Sequence, residues 1–210
     1  MEATPRPEDR RSSVRTRSRE AILTAAAELM EQRRRTDFSV DDLARTADIS
    51  RRTIFNHFTS LDDVVTTVAG RMLTTVVDDM RAQAMNPARE KSTILDDLAA
   101  TASGDNLVPT IAYLIEVFDG DDDRAEVRGA VLMRDSLTLF TQRMSAAIAH
   151  RHPDTDPLTV NLLVAAFSGG LIGIVEPWAE TGGATDTPDS RRAWDRYITR
   201  LTDVLREPAP

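Results

Sequence analysis

Arg51, Arg52, Thr53, Asn56 and His57 fall within seven residues and offer two forked cations, a hydroxyl, an amide and an imidazole. Side chains of these types reach phosphates and base edges when the helix that carries them lies in the major groove of DNA. That chemistry requires them to share one outer face while the opposite face is anchored. Ile54, Phe55 and Phe58 have the spacing of an inner apolar face, and Ser50 stands where an N-cap belongs. Just upstream, Val40, Leu43, Ala44 and Ala47 recur at i, i+3, i+4 and i+7, the stripe of a helix packed on one side. Ser39 caps this earlier helix, and Asp42 three residues on supplies the acidic half of a capping box. Ala47, Asp48 and Ile49 form the turn between the two. Two short helices joined by a tight turn and followed at once by a third make a helix-turn-helix, with Ser39 and Ser50 joining the five outer residues as candidate DNA contacts.

The rest of the chain bounds what such a head can belong to. The protein has 210 residues, of which 41% are hydrophobic, ample for a buried core. Residues 1–58 carry 12 Arg against 10 acidic residues, a net of +2, and the remainder carries 14 basic against 24 acidic, a net of −10. An acidic protein binds nucleic acid through a small focused patch, so binding should be sequence-specific and salt-sensitive. There is no cysteine, which removes disulfides, thiolate chemistry and Cys-based zinc sites and suits a cytoplasmic location. Residues 1–20 are polar throughout, so no signal peptide is expected ahead of the first helix. Arg6, Arg10, Arg11, Arg15, Arg17 and Arg19 make an Arg-rich arm, expected to be disordered to about residue 16. It is either a phosphate-tracking or minor-groove extension or a solvated terminus.

Residues 17–65 resemble the N-terminal domain of the TetR family of bacterial transcriptional regulators. The resemblance is carried without a gap by Ala26-Ala27-Glu28-Leu29-Met30, Phe38-Ser39-Val40-Asp41-Asp42-Leu43-Ala44, Ala47-Asp48-Ile49-Ser50, Thr53-Ile54-Phe55-Asn56-His57-Phe58 and Ser60-Leu61-Asp62-Asp63-Val64. Several positions depart from the family pattern. Arg34-Arg35 stands in place of a Gly-aromatic pair, with Phe38 as a substitute aromatic, and Asp48 replaces a turn Gly. Arg52 replaces a second Gly and adds a cationic fork suited to guanine. Phe55 and Leu61 replace a Tyr and a Lys that would reach phosphates, so Arg51, Arg52 or the arm must compensate.

Beyond the head, Leu61, Val64, Val65, Val68, Met72, Val76 and Met80 continue one helical stripe from Leu61 to Gln83, capped by Ser60. Residues 91–103, 107–118, 124–150, 157–176 and 188–206 each show helical apolar spacing between breakers, and strand-like alternation is nowhere sustained. The chain is therefore expected to be all-α with about nine helices. The resemblance implies three DNA-binding helices followed by a helical ligand-binding and dimerisation domain. The expected divisions are an arm over 1–16, the DNA-binding domain over 17–60, the ligand-binding and dimerisation domain over 61–206 and a disordered tail over 207–210.

Residues 160–179 are nearly continuously apolar and contain Gly169-x-x-x-Gly173, which suits either a membrane span or a helix buried on most sides. The uncharged run between Asn161 and Glu176 falls short of the length a bilayer needs, so no membrane is expected. In the family the last two long helices pair across a twofold axis. Here that implies a homodimer through Phe167, Gly169, Gly170, Gly173, Trp194, Ile198, Leu201 and Leu205, whose paired heads read a palindromic operator. The family also implies a small-molecule effector that releases a repressor from its operator. Candidate pocket residues are Met80, Ile115, Phe118, Met133, Leu137, Phe140, Met144 and Phe167, with Glu116, Arg134 or Asn106 as polar anchors. The same Met and Phe residues at helical spacing equally describe plain core.

No cofactor and no metal is implied. His150-Arg151-His152 with Asp154 and Asp156 lies in a Pro-broken loop without a helix-spaced ligand pair, and Asp119 to Asp123 lacks the ligand order of a calcium loop. An enzyme is the rival class, but there is no nucleophile elbow and no phosphate loop, and one of only three His is already on the recognition helix. A ligand-independent DNA-binding or architectural protein with a closed C-terminal core is the other alternative.

Overall fold

The computed structural model describes residues 7–84, 92–119 and 123–207, and among them it contains helices, turns and no strand. Nine helices follow in order: α1 (Pro7–Arg33), α2 (Val40–Thr46), α3 (Arg51–Phe55), α4 (Leu61–Ala84), α5 (Ile94–Thr101), α6 (Gly104–Phe118), α7 (Asp123–Arg151), α8 (Pro157–Gly182) and α9 (Pro188–Arg206). The all-α expectation and the number of helices hold among the described residues. The chain divides into one unit over Met1–Val68 and a second over Ala69–Pro210, with the boundary falling within α4.

In the first unit α1 packs on both α2 and α3. The apolar periodicity of α1 buries Ile22, Ala26, Leu29 and Met30, and Leu43, Ile54, Phe38 and Phe58 close the same core. Helix α1 begins at Pro7, so residues 7–16, expected from sequence to be disordered, are helical. Pro at a helix start followed by Glu-Asp is a favourable N-terminal sequence, and arginine is a good helix former, so local propensity extends the helix backward. Residues 1–6 of the expected arm and 208–210 of the expected tail lie outside the described residues. The altered turn after α1 places Arg34 in the left-handed region at φ 52°, where glycine would be unstrained.

In the second unit α8 packs against α5, α7 and α9, while α6 packs against α7 and α9. Trp178 and Trp194 are fully buried and meet edge to face, with centroids 5.3 Å apart and planes at 85°. Each indole finds a distant acceptor: Trp178 Nε1 donates to the Ser190 carbonyl at 3.1 Å and Trp194 Nε1 to the Ala102 carbonyl at 2.7 Å. Gly104 lets α6 start directly against α9, since an added Cβ would lie 2.6 Å from the Arg191 carbonyl oxygen. Asp195 accepts from the Gly104 amide at 2.7 Å, fixing that start.

Helix α8 corrects the expected end at residue 176: it runs through Pro177 to Gly182 and ends on Gly183 in the left-handed conformation. Proline there removes one backbone hydrogen bond. The burial and hydrogen bond of the next residue, Trp178, hold the helix together across the break. Pro157–Thr181 is long and apolar enough to cross a bilayer. In this fold its stripe Val160, Val164, Phe167, Leu171 and Trp178 is buried within the second unit while Leu158, Leu162 and Ile172 are exposed, so the helix is buried along one side and not on most sides as expected from sequence.

Candidate nucleic-acid interface and cavity

The head is assembled from short, strongly capped pieces. Ser39 Oγ accepts from the Asp42 amide at 3.1 Å while Asp42 Oδ2 accepts from the Ser39 amide at 3.0 Å, a complete capping box at the start of α2. The Ser39 amide and hydroxyl, with Arg45 and Arg33 nearby, hold the Asp42 carboxyl well below the usual carboxylate range. At the other end of α2, Asp48 sits at φ 52°, the Ile49 amide donates to the Ala44 carbonyl and the Asp48 amide to the Arg45 carbonyl. That is a Schellman turn with Asp in the glycine position. Ser50 then caps α3, its Oγ accepting from the Thr53 amide at 3.1 Å and lying 2.8 Å from Thr53 Oγ1.

The roles of the outer residues are not equal. Arg51 forms a two-pronged ion pair with Asp41 of α2, which locks it to the preceding helix. Arg52 and Asn56 are exposed, and Arg52 has no hydrogen bond or ion pair among the described residues. His57 is half-buried, and burial, with repulsion from Arg15 and Arg19, lowers its pKa from the ordinary value, so the imidazole is neutral at pH 7. Thr53 is half-buried behind the Ser50 hydroxyl, and Ser39 and Ser50 act as helix caps.

Phe55 departs from its expected inner position: it is 53% exposed, while Ile54 and Phe58 are buried. With α3 only five residues long, residue 55 falls on the same side as Arg51 and Arg52, four and three positions earlier. Arg19, read from sequence as part of the Arg-rich arm, instead packs inward: its guanidinium lies 4.2 Å from the centroid of the Phe58 ring and donates to the His57 carbonyl at 3.1 Å. Arg19 thereby ties α1 to the residues that follow α3.

In the second unit a cavity of about 420 Å³ opens among α6, α7 and α8. Helix α6 contributes Ile115 and Phe118, with Asp119 just past its end; α8 contributes Ile172, Val175 and Glu176. Helix α7 contributes Glu126, Gly129, Ala130, Met133, Arg134 and Leu137. Gly129 permits this wall, because a Cβ there would strike the Phe118 carbonyl. Five of the expected pocket residues therefore line it: Ile115, Phe118, Met133, Arg134 and Leu137.

Phe140, Met144 and Phe167 are fully buried core instead, Glu116 is exposed away from the lining, and Asn106 bonds the Ala100 carbonyl locally. The side chain of Met80 lies outside the described residues. Asp119, Glu126, Gly129, Ala130, Ile172, Val175 and Glu176 were not expected to line it.

The expected dimer residues also sort differently. Phe167, Trp194 and Ile198 point into the subunit core and are lost to any interface. Gly170 packs against Leu201 of the same chain, and Leu201 and Leu205 are half-buried. Gly169 and Gly173 face open space, and they fall on an exposed strip of α8 with Leu158, Leu162 and Ala165.

The His150 to Asp156 segment is occupied by a different arrangement. Arg151 and His152 both converge on the buried carboxylate of Asp97, His152 Nε2 at 2.8 Å, and Arg151 also reaches Ser92. Among the described residues no group of three His, Asp or Glu side chains is placed to hold a metal ion.

Comparison with known proteins agrees with this architecture. Residues 22–68 match the family model of bacterial regulatory proteins of the tetR family. The HTH-type transcriptional regulator EthR of Mycobacterium tuberculosis and of Mycobacterium bovis is 41% identical over 68 residues. That match covers 32% of this chain and 32% of the relative, so this chain spans about a third of the length of the curated relatives it matches.

Over the whole fold, the TetR family repressor AlkX of Dietzia sp. superposes with a TM-score of 0.55 at 13% identity, covering 90% of this chain and 98% of that one. A TetR-family structure from Mesorhizobium loti gives 0.50 at 18% identity, covering 90% and 97%. The capped helix-turn-helix thus lies in a segment, residues 22–68, that matches the N-terminal domain of bacterial regulatory proteins of the tetR family, and over the rest of the chain the likeness to these solved structures is one of fold.

Proposed function

We propose that the protein is a homodimeric, sequence-specific repressor that leaves a palindromic operator when a small molecule binds its second unit. The observation that carries this is α3: anchored by Ile54 beneath, it presents Arg52, Phe55 and Asn56 outward, with Arg52 uncommitted to any partner among the described residues. Arg52 is the candidate base reader, suited to the two acceptors of guanine. Arg51, already paired with Asp41, fixes α3 to α2. The exposed strip Leu158, Leu162, Ala165, Gly169 and Gly173 on α8 is the candidate face for a second copy. The cavity is the candidate effector site, and a ligand that prefers one arrangement of the two subunits would shift the spacing of the heads through α4.

The test is selection from a random duplex library by the purified protein, followed by titration of the recovered sequence in a salt series. An inverted repeat is expected, and Arg52→Ala should weaken binding by roughly ten- to a hundredfold and relax preference at one position of each half-site. No enriched sequence, or an Arg52→Ala variant that binds it unchanged, would overturn the reading.

A further inference from the structure

The cavity is apolar within and acidic at its rim. Its volume of about 420 Å³ suits a drug-sized molecule. Three carboxylates, Asp119, Glu126 and Glu176, line it against one guanidinium, Arg134. Arg134 already gives both Nε and Nη2 to the neighbouring Asp135 at 3.1 Å, so its charge is largely answered outside the cavity. Glu126 and Glu176 approach from different helices, α7 and α8, and neither has an ion-pair partner among the described residues. The chain beyond residue 58 carries a further net charge of −10, which leaves this end of the molecule attractive to cations.

We infer that the cavity binds a lipophilic cation, an aromatic or otherwise apolar body with a delocalised or shielded positive charge, held by Glu126 and Glu176. This rests on reading the cavity as an effector site. The charge balance disfavours an anionic amphiphile, whose head would meet carboxylates. A small hydrated cation gains nothing from Ile115, Met133 and Val175. A soft organic cation satisfies both halves of the site: its body fills the apolar volume, and its weakly hydrated charge costs little to bring beside the rim carboxylates. Phe118 and Met133 add polarisable surface of the kind such cations favour.

The experiment is calorimetric titration of the full chain with tetraphenylphosphonium and with tetraphenylborate, ions of nearly the same shape and opposite charge. Tetraphenylphosphonium should bind at least about tenfold more tightly, and added salt should reduce that preference. The double variant Glu126→Gln, Glu176→Gln should lose about tenfold in phosphonium affinity and most of the charge preference. Both carboxylates are exposed, so its thermal melt should match the parent. Equal or tighter borate binding, no binding of either ion, or a double variant that keeps the preference would each overturn the inference.

A parallel titration against the selected DNA separates the two readings. Phosphonium that binds with the expected preference but leaves DNA in place would sink the effector reading and keep the cation site. Release of DNA by some other compound that the cavity accepts, with no phosphonium binding, would do the reverse.

Discussion

In the unit ending at Val68 the helix starts are tied mainly by side chains three residues away, whereas in the unit beginning at Ala69 similar caps on α5, α8 and α9 are joined by several ties between residues far apart in the chain. Ser39 with Asp42, Ser50 with Thr53 and Ser60 with Asp63 set the starts of α2, α3 and α4. In the second unit Trp194 reaches Ala102, Asp195 reaches Gly104, and Arg206 pairs with Asp96. The head is thus held chiefly by local ties around a small core, and the body adds to its own caps ties that form only once its helices have met. Local signals hold the reading surface in a fixed geometry, while long-range packing leaves room for a cavity whose walls come from three helices.

The strongest way to break this contrast is Trp194→Ala. Removing a fully buried indole from the centre of the body should cost about 3–5 kcal/mol in denaturant melts. Trp194→Phe, which keeps a ring but leaves the Ala102 carbonyl without its donor, should cost about 1–3 kcal/mol. If Trp194→Ala melted like the parent, the claim that long-range packing specifies the body would fail.

A finer probe uses the capping box that both units share. Thr93 and Asp96 repeat at α5 what Ser39 and Asp42 do at α2. Ser39→Ala and Thr93→Ala should each lose about 1 kcal/mol. Only Ser39→Ala should also weaken DNA binding, because α2 holds Arg51 through Asp41. Equal effects of the two on DNA affinity would remove the distinction.

Acid should produce the smallest change. Asp42 is held low chiefly by the Ser39 amide and hydroxyl, and Asp96 by the Thr93 hydroxyl and amide. Both pKa values are lower folded than unfolded, so the unfolded chain binds more protons. The stabilisation is therefore complete above the ordinary carboxylate range, near pH 4, and is lost as pH falls below it. Melts between about pH 5 and pH 2 should show the decline, and Ser39→Ala should flatten part of it.

The same contrast explains what the sequence revealed. The Ser39–Asp42 capping box, the Asp48 turn and the Leu43 and Ile54 core positions are i to i+3 or i+4 patterns, so they were legible along the chain. Phe55 was misplaced because residues 54, 55 and 58 share an apolar spacing that five helical residues cannot resolve, and only the α1 core decides which of them turns inward. Phe140, Met144 and Phe167 were candidates for a pocket because composition cannot separate a wall from a core. The cavity exists where Gly129 lets α7 approach the Phe118 carbonyl, a relation between two helices. Trp194 and Ile198 likewise looked available to a partner until α9 was seen to turn them inward.

The proline within α8 gives the cavity a mechanical property. Pro177 cannot donate to the Gly173 carbonyl, so the turn from Gly173 to Pro177 lacks one rung of the helical ladder. Val175 and Glu176, which line the cavity, belong to that turn. The most compliant stretch of α8 is therefore also a wall of the cavity. A molecule that pushes this wall outward bends the helix at its softest point, and the strip from Leu158 to Gly173 lies on the arm that the bend would swing.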